Sequence, residues 1–152
     1  MEIIQNPLLV FLLQAVPEMI AFSLLVVAIS KDFKGWKKAI LVGIVLVVAL
    51  HFIRTLDWIH FGVHTLLFLG LAIALYEVVL NAEFAVIIKA VIAGAILVAA
   101  GEYISITLGI LLLNLSVEEI INNVFWRIVL GWPQIFLLLA VAYYLFKRNV
   151  KS

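Results

Sequence analysis

An almost unbroken apolar run decides the fold: residues 7–30 read PLLVFLLQAVPEMIAFSLLVVAIS. A bilayer core about 30 Å thick needs roughly 20 apolar residues of helix, so this run is long enough to cross it. The whole 152-residue chain has the same character, because 67% of its residues are hydrophobic and 12% are charged. Soluble domains have about 45–50% apolar and roughly 25% charged residues. We therefore predict an integral membrane protein.

The composition also excludes several classes of function. A net charge of +1 provides no basic face for nucleic acid, and the lack of cysteine excludes disulfides and thiolate metal sites. The sequence contains no Gly-rich phosphate loop and no H-E-x-x-H zinc motif. We therefore expect a non-enzymatic protein with no cofactor.

Five apolar segments predict a single all-α domain over residues 1–152. The predicted transmembrane helices are 7–30, 39–55, 61–80, 90–113 and 128–146. Ser116 and Glu119 have the spacing of a capping box, which predicts a short interfacial helix before the last span. Gly101, Ser105 and Gly109 recur every four residues and predict that another helix approaches the fourth span closely.

Lysine and arginine indicate the orientation, because cytoplasmic loops are enriched in both. With five spans, Arg54 and Arg127 fall on one side. The other eight of the ten basic residues fall on the side of the C-terminus: Lys31, Lys34, Lys37, Lys38, Lys89, Lys147, Arg148 and Lys151. We therefore predict an extracellular N-terminus and a cytoplasmic C-terminus in the plasma membrane.

Polar residues interrupt the predicted spans, mostly in their outer halves. Ionisable groups in a bilayer cost ~2.5 kcal/mol or more each, and they usually face the bundle interior or water. At about 1.5 Å of rise per residue, Glu18 and Glu102 lie near the midplane. Gln14 lies one turn from Glu18, on the same predicted face. The glutamates must either carry a proton or pair with a basic residue.

These residues suggest an outward-opening ligand pocket between the helices. Its predicted lining is Gln14, Glu18, His51, Arg54, His64, Glu102 and Gln134. In this interpretation the glutamates carry the charge, Arg54 is their counter-ion or an anion contact, and His51 and His64 titrate or donate hydrogen bonds. The alternative is that these side chains only form interhelical hydrogen bonds that fix the packing.

The two prolines within the spans are predicted hinges. Neither Pro17 nor Pro133 can donate a backbone hydrogen bond, and each is followed directly by a polar residue, Glu18 or Gln134. Broken helices at membrane depth are tolerated where the freed backbone is buried or lines a cavity. A packing kink is the simpler alternative.

The histidines leave minor alternatives open, although no metal site is predicted. His51, Asp57, His60 and His64 could supply nitrogen and oxygen ligands to zinc, and His51 with His64 could form a bis-histidine haem pair. Hydrogen bonding to headgroups, to water or to Asp57 is the simpler explanation. A histidine cluster at an outer surface can also sense pH.

The segment RTLDWIHFGVHTLLF (54–68) resembles part of the polytopic N-terminal membrane region of Firmicutes GHKL-type sensor histidine kinases. There an arginine precedes Phe-Gly-x-His-Thr, which opens the next span; here the matching residues are Arg54, Phe61, Gly62, His64 and Thr65. Pro17–Glu18, Glu102 and Pro133–Gln134 also resemble that region. This sequence ends at KRNVKS without a kinase domain. The resemblance therefore implies a stand-alone sensory module that signals through a partner protein or through self-association, as a homo-oligomer.

Three functional hypotheses follow. The first is a receptor-like module that binds an extracellular-side ligand or proton and passes a helix rearrangement to a cytoplasmic or membrane partner. The second is a small transporter or ion-conducting subunit in which Glu18 and Glu102 carry protons or cations. The third is a purely structural membrane subunit.

Overall fold

Long helices dominate the computed structural model, which describes the backbone of residues 7–54 and 63–150 and the side chains of residues 8–53 and 63–149. The first helix, α1, consists of Pro7–Val10, a π turn at Phe11–Ala15 and Val16–Ser30. The others are α2 (Trp36–Arg54), α3 (Val63–Val79), α4 (Phe84–Leu113), α5 (Val117–Asn122) and α6 (Val124–Val150). The described residues contain no strand. Helices α1, α2, α4 and α6 are long and apolar enough to cross a membrane, and α3 is a shorter apolar helix of 17 residues.

Helix α1 is the centre of the bundle. It packs against α2, α4 and α6, and most of its side chains from Met19 to Ala28 are buried. A helix that is apolar all round is expected in such a position. The Phe22 ring of α1 lies 5.8 Å from the Phe68 ring of α3. The Ser23 hydroxyl of α1 lies 2.7 Å from the Tyr76 hydroxyl, which is also on α3. These contacts hold the short α3 against the bundle.

Glycines allow two pairs of helices to approach closely. A Cβ atom on Gly43 of α2 would overlap the Ser23 hydroxyl and lie 2.8 Å from the Met19 carbonyl oxygen of α1. On α4, a Cβ atom on Gly101 would lie 2.7 Å from the Cβ atom of Gln134. The close approach predicted for the Gly101–Ser105–Gly109 ridge is therefore confirmed, and α6 is the helix that makes it.

The π turn ends at Ala15, two residues before Pro17. The backbone N–H of Val16 donates to the Phe11 carbonyl oxygen, five residues back, and Pro17 has no N–H with which to resume the regular ladder at Leu13. Single π turns of this kind occur frequently at functional sites, and they bend helices. The irregularity that the sequence predicted at Pro17 thus extends over the preceding turn.

Helices α4 and α6 begin well before the spans that hydropathy predicts. Helix α4 begins at Phe84, so that Lys89 lies within a helix and not in a loop. Helix α6 begins at Val124, because the Asn123 side chain caps it by accepting a 2.9 Å hydrogen bond from the Phe125 backbone N–H. Arg127 is therefore a helical residue. Hydropathy indicates where a helix can meet lipid, whereas capping groups determine where the helix begins.

Polar contacts hold together the end of the bundle that contains residues 31–38, called the lysine-rich turn here. The Asp32 carboxylate accepts a 2.9 Å hydrogen bond from the Asn81 backbone N–H, which ties this turn to the turn after α3. Near the end of α6, the Asn149 amide donates a 3.0 Å hydrogen bond to the Ala28 carbonyl oxygen of α1. This end of the bundle is thus held by polar contacts as well as by apolar packing.

The short helix predicted after Ser116, before the last span, is present as α5, and it begins with the predicted capping box. The Ser116 backbone N–H donates to the Glu119 carboxylate over 2.7 Å, the Ser116 hydroxyl donates to the same oxygen over 2.9 Å, and Ser116 Oγ accepts the Glu119 backbone N–H over 3.1 Å. The backbone bond and then the hydroxyl bond lower the pKa of Glu119 below its usual value.

A pH effect on α5 follows from this pKa. Because the folded-state pKa of Glu119 is below the unfolded one, its contribution to stability is complete above the ordinary carboxyl pKa. That contribution is lost as the pH falls through the lower, folded-state pKa. We expect the Ser116 amide proton resonance to titrate in this acidic window by NMR. Glu119→Gln should abolish the titration and Glu118→Gln should preserve it; a titration that persists in Glu119→Gln would contradict this assignment.

Candidate functional site

Polar side chains meet at three cavities in one half of the bundle, away from the lysine-rich turn. This half contains the beginnings of α1, α3 and α6, the end of α2 and the second half of α4. The cavities are named here after one lining residue each: the Glu18 cavity, the Gln14 cavity and the His51 cavity.

The Glu18 cavity has a volume of about 230 Å³ and lies between α1, α2, α3 and α4. Its polar lining consists of Glu18 from α1, His64 and Thr65 from the first turn of α3, and Glu102 from α4. Leu50, Phe68 and neighbouring apolar residues complete the wall. Two carboxylates and one imidazole thus line a single space among apolar side chains.

The Gln14 cavity, of about 160 Å³, lies between α1, α4, α5 and α6. Its polar lining is Gln14, Glu102, Ser105, Arg127 and Gln134. Gly131 of α6 lets the Gln14 side chain enter, because a Cβ atom on that glycine would lie 2.5 Å from Gln14 Nε2. Among the described residues, the buried Gln14 Oε1 has no hydrogen-bond partner. A buried acceptor of this kind costs free energy unless a donor reaches it.

The His51 cavity, also about 160 Å³, is lined by Phe11, His51 and Arg127, among others. The Phe11 ring packs edge-on against the His51 ring, with 5.4 Å between their centroids. Phe11 is the first residue of the π turn, so this irregular turn of α1 is in contact with the end of α2. His51 itself is exposed.

The structure brings most of the predicted site residues into the same half of the bundle, but it distributes them among three cavities. Glu102 lines both the Glu18 and the Gln14 cavities, whereas Gln134 lines only the second and His64 only the first. Gln14 and Glu18 do not line one cavity, although α-helical spacing predicts a shared face. The physical reason is the π turn, which adds one residue to the turn that contains Gln14 and so changes its direction relative to Glu18.

Some predicted residues cannot be placed. The Arg54 side chain, Asp57 and His60 lie outside the described residues. In the ranges that are described, no three His, Asp or Glu side chains gather as a metal site would require. His51 and His64 line different cavities, which does not favour their pairing on a haem. Of the hinges, Pro17 follows the π turn and Pro133 lies within α6.

Arg127 and Ser105 line the site although the sequence did not predict them there. Arg127 borders two cavities, whereas a last span that begins at residue 128 leaves Arg127 in a loop. Asn123, a good N-cap residue one turn before Arg127, is the feature of the sequence that indicates a helix starting early enough to include Arg127. Ser105 was interpreted as a packing residue alone, yet it lines the Gln14 cavity.

Acceptors and negative charge dominate the chemistry of the Glu18 cavity. Glu18 and Glu102 offer carboxylate oxygens, and the ring nitrogens of His64 can donate or accept hydrogen bonds. In the adjoining Gln14 cavity, Arg127 supplies positive charge near Glu102 and Gln14 supplies an unsatisfied carbonyl oxygen. Such a lining suits a proton, a cation or a ligand rich in N–H donors.

Comparison with known proteins does not narrow this chemistry. No protein-family model, curated protein or solved structure matches the chain.

Proposed function

We propose that this chain is a non-enzymatic, receptor-like module of the plasma membrane with five transmembrane helices. In this proposal α3 is the fifth span, alongside the four longer helices. An odd number of crossings places the termini on opposite sides of the bilayer. The eight-to-two division of basic residues then favours an extracellular N-terminus and a cytoplasmic C-terminus.

The observation that carries the proposal is the position of Glu102 between two polar cavities. With Glu18 and His64 on one side and Gln14 and Gln134 on the other, one carboxylate joins most of the polar residues of the bundle. Carboxylates at membrane depth usually face a functional cavity. We therefore assign the Glu18 cavity to a proton or a cationic ligand that enters from the extracellular side.

The same arrangement suggests how binding is transmitted. Glu18 lies next to Pro17 and the π turn, and Gln134 lies next to Pro133, so the lining residues adjoin the irregular parts of α1 and α6. Neutralising the carboxylates changes how strongly they attract the surrounding donors. The expected response is a shift of α6, whose far end leads to the proposed cytoplasmic side, where a partner protein or a second copy would detect it.

The resemblance to the membrane region of GHKL-type sensor kinases supports this proposal. It includes His64 and Thr65, which line the Glu18 cavity, together with Glu18, Glu102 and Gln134. The three polar cavities all lie in one half of the bundle. That distribution favours a receptor over a transporter, which needs access from both sides.

A site-directed label tests the proposal directly, because the chain has no cysteine of its own. Tyr144→Cys places a spin label on the exposed surface of α6, far from the cavities. In proteoliposomes of the full chain, we expect the label mobility to change when protons or cations are added on the extracellular side. Glu102→Gln should abolish this change, because glutamine has no negative charge for them to neutralise.

Glu77→Gln is the matched control, since Glu77 is an exposed glutamate on α3 that lines none of the three cavities. It should preserve the response. A proton or cation flux that Glu18→Gln abolishes would replace the receptor with the transporter. If neither a mobility change nor a flux is found, and Glu102→Gln changes only thermal stability, the polar residues have a structural role alone.

A further inference from the structure

A further cavity, larger than the three polar ones, is separate from the site and apolar. It has a volume of about 540 Å³, within the range of about 300–1,000 Å³ that is common for ligand sites. Aliphatic side chains of α1 and α6 form its floor, and the rings of Phe33, Trp36, Tyr143 and Phe146 surround it. None of its lining residues is shared with the three polar cavities. It is called the apolar groove here.

Positive charge lies beside this groove. Lys34 and Lys37 each follow a lining aromatic residue directly, and Lys147 follows Phe146. The Lys37 ammonium group lies 5.5 Å from the centre of the Trp36 ring, which places it at the edge of the groove. The acidic residue of this turn, Asp32, already accepts the Asn81 backbone N–H. All three lysines are exposed.

We propose that the apolar groove binds one anionic phospholipid. An acyl chain lies between α1 and α6, and the phosphate group is held by Lys34, Lys37 and Lys147. In a membrane-spanning chain the natural occupant of an open apolar groove is a lipid tail. Aromatic rings favour the interfacial level of the bilayer, and lysines there attract anionic headgroups.

Charge complementarity distinguishes this occupant from a second copy of the chain. A second copy docked through the same face would bring its own lysines to the same edge, and like charges at an interface are unfavourable. An anionic headgroup instead neutralises them. Lipid binding in the apolar groove requires only that this end of the bundle lie at a membrane surface. It does not depend on what the Glu18 cavity binds.

Lipid binding to the purified full chain tests the proposal. We expect native mass spectrometry to show tighter retention of phosphatidylglycerol than of phosphatidylcholine, with a preference that weakens as salt is added. Lys34→Gln combined with Lys37→Gln should lower the phosphatidylglycerol affinity by roughly fivefold per lysine. Lys89→Gln is the matched control, because Lys89 is exposed on α4, a helix that contributes no lining residue to the groove. It should leave the affinity unchanged.

A substitution that fills the apolar groove tests separately whether an acyl chain binds there. Ala142→Phe places a ring in the groove without changing any charge, and we expect it to reduce retention of both lipids. Equal retention of the two lipids by the wild type would overturn the proposal, as would equal losses in Lys89→Gln and the double variant. If Ala142→Phe dissociates an oligomer and leaves phosphatidylglycerol binding unchanged, the occupant is a second copy. The lysine variants change exposed residues, so that comparison holds even if Ala142→Phe does not fold.

Discussion

Gly43→Ala should destabilise the bundle by about 1–3 kcal/mol, the usual cost of overpacking a well-filled interior. The added methyl group would overlap the Ser23 hydroxyl and would lie 2.8 Å from the Met19 carbonyl oxygen. The carbonyl is backbone within α1 and cannot turn aside as a flexible side chain could. Because α1 is the central helix, displacing α2 from it should loosen the packing of the whole bundle. Thermal unfolding in detergent measures the loss.

Gly70→Ala is the matched control for this substitution. Gly70 also lies within a helix, α3, but a Cβ atom there would meet no atom within 4 Å. Alanine is the better helix former by about 0.8–1 kcal/mol, so this variant should be neutral or more stable. If the two variants change the stability by the same amount, helix propensity and not the contact between α1 and α2 governs Gly43.

Ser23→Ala should destabilise the protein by about 1–3 kcal/mol, because it leaves a buried donor without an acceptor. The Ser23 hydroxyl donates its one hydrogen to the Met19 carbonyl oxygen over 2.7 Å. The 2.7 Å contact between Ser23 and Tyr76 must therefore use the Tyr76 hydroxyl as donor. Both side chains are fully buried, so no water replaces the missing serine. Equilibrium unfolding in detergent is again the measurement.

Tyr76→Phe should have a smaller effect, about 0.6 kcal/mol, the average for side-chain hydrogen bonds between membrane helices. It removes the donor and leaves Ser23 bonded to Met19. Adding Ser23→Ala to Tyr76→Phe should then cost little more, because no unpaired donor remains. A double variant whose loss equals the sum of the two single losses would show that the two hydroxyls do not interact.

Most of the architecture could be predicted from apolar composition, since helices of this length have few alternatives in lipid. The all-α fold, the four long helices, the capping box at Ser116 and the close approach at Gly101 are all present. Helix ends were less predictable because they depend on single capping groups such as Asn123. The fifth span remains a prediction, because α3 has 17 residues.

The sequence predicts which residues belong to the candidate site better than it predicts which of them line the same cavity. Polar residues at membrane depth identified Glu18, His64 and Glu102, which the fold brings to one cavity. The separation of Gln14 from Glu18 depends on a π turn that regular α-helical spacing does not include. The pairing of Ser23 with Tyr76 joins residues 53 positions apart, and no local pattern indicates which helix will face which.

Glu102 has a thermodynamic consequence for anything that enters the two cavities it borders. A single carboxylate offers one negative charge, so a cation or proton that neutralises it from the Glu18 side reduces the attraction felt from the Gln14 side. Two such occupants are antagonists. Linkage requires the antagonism to be mutual: each weakens the other's binding by the same factor.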